Sequence, residues 1–214
     1  MEGKHAILSP SNYSWIRWVD ISHEIPSRMV SLNAATLGTH VHEFAKDSIL
    51  YNLPLRQNDI RDMLRFLYRR MLREIVDLFP LDDIFETTRL YVNDAIAQRM
   101  VPEQILYYTE NCFGTADSIS QLDAVKKTGL LRIYDLKTGE TPAKMDQLMI
   151  YAALFCLNYH SQFKPGDLTY ELRIYQNGES VYFNPRADDI LPIMDQIVAC
   201  DHWISGLMKR NGGK

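Results

Sequence analysis

Between residues 113 and 151 the chain changes its hydrophobic period, and that change limits what it can fold into. Residues 113–120 and 129–136 read as strands, with Lys126-Lys127-Thr128-Gly129 as the turn between them. Residues 143–159 then carry a continuous apolar face (Leu148, Ala152, Phe155) at helical spacing. Neighbouring strands followed by a helix with one apolar face require a sheet covered by helices.

The flanking segments extend this frame. Ser9-Pro10-Ser11 is an N-cap with proline at the first helical position, opening a short helix through Trp18. Residues 31–38 look like a loop, residues 39–50 like a helix, and Asn58 caps a long amphipathic helix over 59–79. Pro80 stops it. Residues 85–92 and 105–112 read as further strands. Residues 168–175 and 180–183 form a hairpin around Asn177-Gly178, and 188–209 a closing helix. The expectation is one α+β (or α/β/α layered) domain spanning 1–214, with 1–80 mainly helical and the sheet in 81–214.

Composition excludes several classes. With 46% hydrophobic residues in 214, the chain can bury a substantial core. No apolar run reaches the ~18 residues of a membrane span, and the first residues show no signal pattern; a soluble intracellular protein is expected. Cys112, Cys156 and Cys200 are far apart, without a C-x-x-C pair, which argues against disulfides, zinc and iron–sulfur clusters. Each reads as a small buried side chain, and core is the default for Trp15, Trp18 and Trp203. A net charge of -4 is unlike a protein that coats duplex DNA, so phosphate contacts must be local. Arg61, Arg65, Arg69, Arg70 and Arg73 recur at helical spacing and supply such a face, with Arg65 and Arg69 as its candidate substrate contacts.

The chemistry concentrates in four short motifs. Asp135 and Lys137 are two apart on a strand and project from one face, while Leu136 between them points inward and offers its carbonyl. Asp117 lies on the preceding strand, where Gly114 would let the backbone turn or bulge. Two aspartates brought together need a cation between them, and all-oxygen ligation suits magnesium or manganese. Such a metal polarises a phosphate and acidifies water, and Lys137 is placed to orient that water or stabilise developing charge. Gln147 and Tyr151 share a helical face, with Lys144 one turn earlier as a further substrate contact. In Gly38-Thr39-His40-Val41-His42-Glu43 the histidines are two apart, unlike the i, i+4 zinc pair. Each motif alone also has a plain explanation: a surface ion pair, a half-exposed tyrosine, a capping histidine.

Taken in order, these motifs resemble the RecB-type nuclease domains of the PD-(D/E)XK superfamily, including CRISPR-associated RecB-like exonucleases and similar phage proteins. The family's G-x-x-x-H corresponds to Gly38 and His42, its G-x-x-D to Gly114 and Asp117, its D-x-K to Asp135 and Lys137, and its Q-x-x-x-Y to Gln147 and Tyr151. The opening His5–Ser11 also looks like the family's start. The resemblance implies a restriction-endonuclease-like core with a central mixed sheet flanked by helices. It implies His42, Asp117, Asp135 and the Leu136 carbonyl as Mg2+ or Mn2+ ligands, Lys137 as catalytic, and Gln147 and Tyr151 acting near the substrate, with Glu43 and Glu110 as further candidates. The implied activity is a DNA exonuclease acting on ends in phage or bacterial recombination, repair or DNA degradation, in the cytoplasm of a bacterium or phage-infected host. A homo-oligomer or a recombination partner protein fits the same picture. Relatives with an iron–sulfur cluster carry four cysteines; here no cysteine precedes Cys112 and the C-terminus holds only Cys200, so no cluster is expected. No Walker A loop is present, so the chain would act alone or as a subunit. A structure- or site-specific endonuclease, and a DNA-binding protein with a decayed site, remain open alternatives.

Overall fold

In the computed structural model of this protein, residues 17, 20–139 and 141–211 are described. The expected helix opening at Ser9-Pro10-Ser11, with Trp15 and Trp18, lies outside them. Helix α1 (Ile21–Leu50) starts at Asp20, whose carboxylate accepts from the amides of Ser22 (3.0 Å) and His23 (3.4 Å). The loop expected at 31–38 is part of this helix. Its polar residues bond back to the preceding turn: Ser31 Oγ donates to the Ser27 carbonyl, Asn33 Nδ2 to Met29 and Thr39 Oγ1 to Ala35. Such bonds let Ser, Asn and Thr continue a helix that their propensities oppose.

The single helix expected over 59–79 is broken into α2 (Ile60–Tyr68) and α3 (Arg73–Val76) by extended backbone at Leu72, which is exposed. The Tyr68 hydroxyl donates to Asp77 Oδ1 (2.6 Å) and clamps the break. The strand expected at 85–92 is instead the middle of α4 (Leu81–Ala97). Its β-prone residues mislead locally, but Ile84, Phe85, Thr88, Tyr91, Val92 and Ala95 are buried at helical rather than alternating spacing.

The sheet follows: β1 (Met100–Thr109), β2 (Cys112–Ser120), β3 (Leu130–Leu136), β4 (Thr169–Gln176) and β5 (Glu179–Phe183), hydrogen-bonded in that order. The link between β2 and β3 is a short helix, α5 (Leu122–Thr128), capped by Gly129, rather than a plain turn. β3 and β4 are parallel and the other pairs antiparallel, so the sheet is mixed. A parallel pair needs a crossover, supplied by α6 (Asp146–Asn158). The hairpin at Asn177-Gly178 and the closing helix α7 (Ala187–Asn211) occur as the sequence indicates.

Hydrophobic residues from successive strand positions enter two cores. Leu131 and Ile133 pack with Leu148, Ala152 and Phe155 of α6 and with Ile190 of α7. Tyr134 and Leu136 pack with Val41 of α1, Met63 of α2 and Phe85 and Val92 of α4. The result is an α+β protein whose five-stranded sheet packs against helices on both faces at its centre, with β5 exposed and a helical N-terminal part. Among the described residues no helix is long and apolar enough to cross a membrane. Cys156 is buried as expected, but Cys200 and Trp203 are exposed on α7.

Candidate metal centre

β2 and β3 pair only at Ser118↔Tyr134 and Ile119↔Ile133, then separate. In the gap the Asp117 carboxylate takes over from the ladder: the Leu136 amide donates to its Oδ2 at 2.8 Å. The other oxygen, Oδ1, lies 3.5 Å from His42 Nδ1 on α1. The opening between the strands therefore lets α1 reach Asp117 through His42, while α6 reaches Asp135 through Lys137.

Asp135 is 1% exposed, and burial, followed by the charge of Asp117, pushes its carboxyl up to about 6. Lys137 Nζ donates to its Oδ1 at 3.1 Å. The same nitrogen is 2.9 Å from Oδ2, so the ammonium is ion-paired with both oxygens of this carboxylate. Lys137 also donates to Gln147 Oε1 (3.1 Å), and Gln147 Nε2 donates to the Tyr151 hydroxyl (3.2 Å). Gln147 and Tyr151 thus stand behind the lysine and orient it. Burial raises the Tyr151 hydroxyl, keeping it protonated.

Glu103 of β1 sits opposite Asp117 in the strand register, between Pro102↔Ser118 and Gln104↔Ala116. Its φ of 53° is left-handed, which a non-glycine residue rarely adopts within a strand. His42, Glu103 and Asp117 each offer a ligand atom, all within 4.8 Å of one another. Burial and then Asp117 raise the Glu103 carboxyl. Burial would lower the His42 imidazole, but Asp117, Asp135 and Glu103 together hold it above its ordinary value. These groups border an open cavity of about 610 Å³, with Gly38, Lys46, Thr115 and Thr138 on its walls. Lys137 borders a second hollow of about 280 Å³ that shares Thr138 with the first.

Two glycines are explained by close approach. A Cβ at Gly114 would stand 2.8 Å from Tyr151 Cε1, and one at Gly38 would stand 3.0 Å from Thr138 Oγ1. Gly114 itself pairs in register with Leu106, and the ladder's irregularity lies just before it, between Tyr107 and Thr109; the ring of Tyr151 is what requires the glycine.

Other expected site residues fall outside the cluster. Lys144 precedes the first turn of α6 and is exposed, so it does not share the helical face of Gln147. Glu110 is exposed in the β1–β2 turn. Glu43 borders the cavity, but both its oxygens are taken by Arg70 (3.0 and 3.2 Å), and Arg70 holds its carboxyl below the usual range. The arginines do not share one face, because the helix breaks after Tyr68. Arg65 pairs with Asp62, Arg73 with Asp77, and Arg69 is exposed.

Glu103 and Lys46 are the site residues that the sequence reading missed. Lys46 stands one helical turn after His42, a detectable spacing. Glu103 follows Pro102 and would have emerged only by extending the strand to Met100 and counting register across the hairpin. The chain matches no protein-family model, no curated protein and no solved structure.

Proposed function

We propose that this chain is a metal-dependent deoxyribonuclease, similar to the RecB-type PD-(D/E)XK nucleases, that hydrolyses phosphodiester bonds at DNA ends. The observation that carries the proposal is the buried carboxylate of Asp135 beside the half-buried His42–Glu103–Asp117 cluster. Carboxylates gathered this closely repel one another, and a divalent cation is the simplest group that reverses that cost. Carboxylate oxygens with one imidazole suit Mg2+ or Mn2+.

Asp117, Asp135, His42 and Glu103 would hold the ion, with the Leu136 carbonyl as a further oxygen. When bound, such an ion supplies Lewis acidity toward the phosphate and acidifies a coordinated water. Lys137, fixed between Asp135 and Gln147, presents a positive charge where negative charge develops on the phosphate. Gln147 accepts from the lysine because its amide nitrogen is engaged by Tyr151, so both are positioning residues. Lys46, on the cavity wall, provides a second cation for the phosphate backbone. Action at ends and a role in recombination, repair or DNA turnover are drawn from the family resemblance.

The test incubates end-labelled linear duplex and closed circular DNA with Mg2+ or Mn2+, comparing wild type with Lys137→Ala. Expected is metal-dependent release of label as mononucleotides or short oligonucleotides, slowed about 10²–10³-fold in the variant. Cutting of the closed circle would move the reading to an endonuclease. No cleavage of any substrate with either metal would overturn it.

A further inference from the structure

β1 and β2 carry an exposed stripe that leads away from the metal cluster. Their register pairs Ile105 with Thr115 and Tyr107 with Phe113, continuing the spacing that sets Glu103 opposite Asp117. Residues two apart on a strand share a face. The intervening positions face α6: Leu106 and Ala116 lie in its core, and Gly114 lies against Tyr151. Ile105, Tyr107 and Phe113 therefore point the way that Thr115, Asp117 and Glu103 do, toward the cavity side. All three are open to solvent, at 60%, 48% and 63% exposure. The Tyr107 and Phe113 rings stack on each other, with centroids 6.3 Å apart and planes inclined by 28°. At ~3.4 Å per strand residue, the ring pair stands about 14 Å from the Glu103–Asp117 pair.

Exposed rings beside a polar site select a ligand with a flat apolar face and a charged backbone. Nucleobases have such faces, and stacking on aromatic side chains is tolerant of sequence. Inside a duplex both faces of a base are covered by its neighbours, whereas an unpaired strand leaves them free. We infer that Tyr107 and Phe113 form a stacking platform for the unpaired end of a DNA strand, whose backbone runs along the β1–β2 ribbon to the metal cluster. This inference rests on the nuclease proposal for its direction along the ribbon, but stacking is measurable without cleavage.

The experiment titrates a single-stranded oligonucleotide carrying 2-aminopurine with wild-type protein in EDTA, and compares Tyr107→Ala/Phe113→Ala with the ring-retaining Tyr107→Phe/Phe113→Tyr. Circular dichroism checks that each variant is folded. Wild type should quench the fluorescence, the ring-retaining variant should do the same, and the alanine variant should bind roughly 5- to 150-fold more weakly for each stacked base lost. Equal binding by all three, or no binding by wild type, overturns the platform. So does an alanine variant that loses only self-association in sedimentation, which would assign the rings to contact with a second copy. DNA cleavage without ring-dependent stacking leaves the nuclease standing and removes the platform. Ring-dependent stacking with no cleavage by any protein keeps the platform as a strand-binding site and removes the nuclease.

Discussion

Tyr134 and Asp135 are neighbours on β3, face opposite sides of the sheet, and enter two polar clusters that treat buried charge in opposite ways. On the Tyr134 side, two acids meet two arginines. Tyr134 donates to Glu171 (2.6 Å), which also engages Arg132 (3.3 Å) and Arg173 (3.0 Å). Arg173 reaches on to Asp94 (3.0 Å), which accepts from Tyr175 (2.7 Å). Only Arg173 Nε lacks a partner. On the Asp135 side, Glu103, Asp117 and Asp135 face Lys137, Lys46 and an imidazole, yet the carboxyls of Glu103 and Asp135 are both pushed up, whereas that of Glu171 is held down. A cluster whose acids are stabilised as charges holds a fold together, whereas one whose acids are disfavoured as charges is a candidate for holding a cation.

The sharpest way to break this contrast is to remove one acid from each cluster. Glu171→Ala strands Arg132 and a tyrosine and leaves Arg173 with Asp94 alone, and should cost about 2–3 kcal/mol, a loss of about 4–12 °C in melting temperature. Asp135→Asn should leave the melting temperature of metal-free protein unchanged or higher, because it removes a carboxylate that its surroundings disfavour. At a concentration 100-fold above its Kd, Mn2+ should stabilise wild type by about 2.7 kcal/mol. Glu171→Ala should keep that gain and Asp135→Asn should lose it. Equal destabilisation by both substitutions, with no response of wild type to the ion, would erase the distinction.

A smaller effect is expected at the packing that aims the lysine. Gly114→Ala places a methyl against Tyr151 and should displace the Tyr151–Gln147–Lys137 chain, slowing DNA cleavage about 10- to 100-fold with little change in substrate affinity. A rate like that of wild type would show that the chain tolerates the shift.

The smallest effect concerns pH. Burial pushes the Glu171 carboxyl up, but the Tyr134 hydrogen bond and the charges of Arg173 and Arg132 outweigh it and hold the group below its usual 4.5. A depressed folded value stabilises the protein above the unfolded value and ceases to do so as pH falls through the folded one. The gap in melting temperature between wild type and Glu171→Gln should therefore be full above about pH 4.5 and close below it. A gap that does not change with pH would mean that the carboxylate's charge contributes nothing.

Much of this was legible where a local pattern and the fold agree. The strands around Asp117 and Asp135, the helix bearing Gln147 and Tyr151, and the Asn177-Gly178 hairpin announce themselves through alternation, helical period and turn chemistry. Residues 85–92 failed because threonine, tyrosine and valine favour strands locally, while burial along α4 follows a helical period. Residues 31–38 failed because bonds to the preceding turn are invisible in composition. At the site, spacing within an element could suggest Lys137 beside Asp135, but Glu103 depends on register between strands and on a strained backbone angle. The family resemblance supplied His42; its place beside Asp117 depends on how α1 lies across the sheet.

The bend at Pro102-Glu103 has another consequence, for the behaviour of the protein in crowded solution. β1 is an outer strand of the sheet, and with Ile105 and Tyr107 exposed it would otherwise invite a strand from another molecule to add to it. Pro102 supplies no amide, and the left-handed φ at Glu103 interrupts the extended backbone between Pro102 and Gln104. The strain, about 1–3 kcal/mol, therefore blunts an aggregation-prone edge while it delivers a carboxylate to the cavity. Restoring a regular strand there, as Pro102→Val with Glu103→Thr would favour, removes both at once.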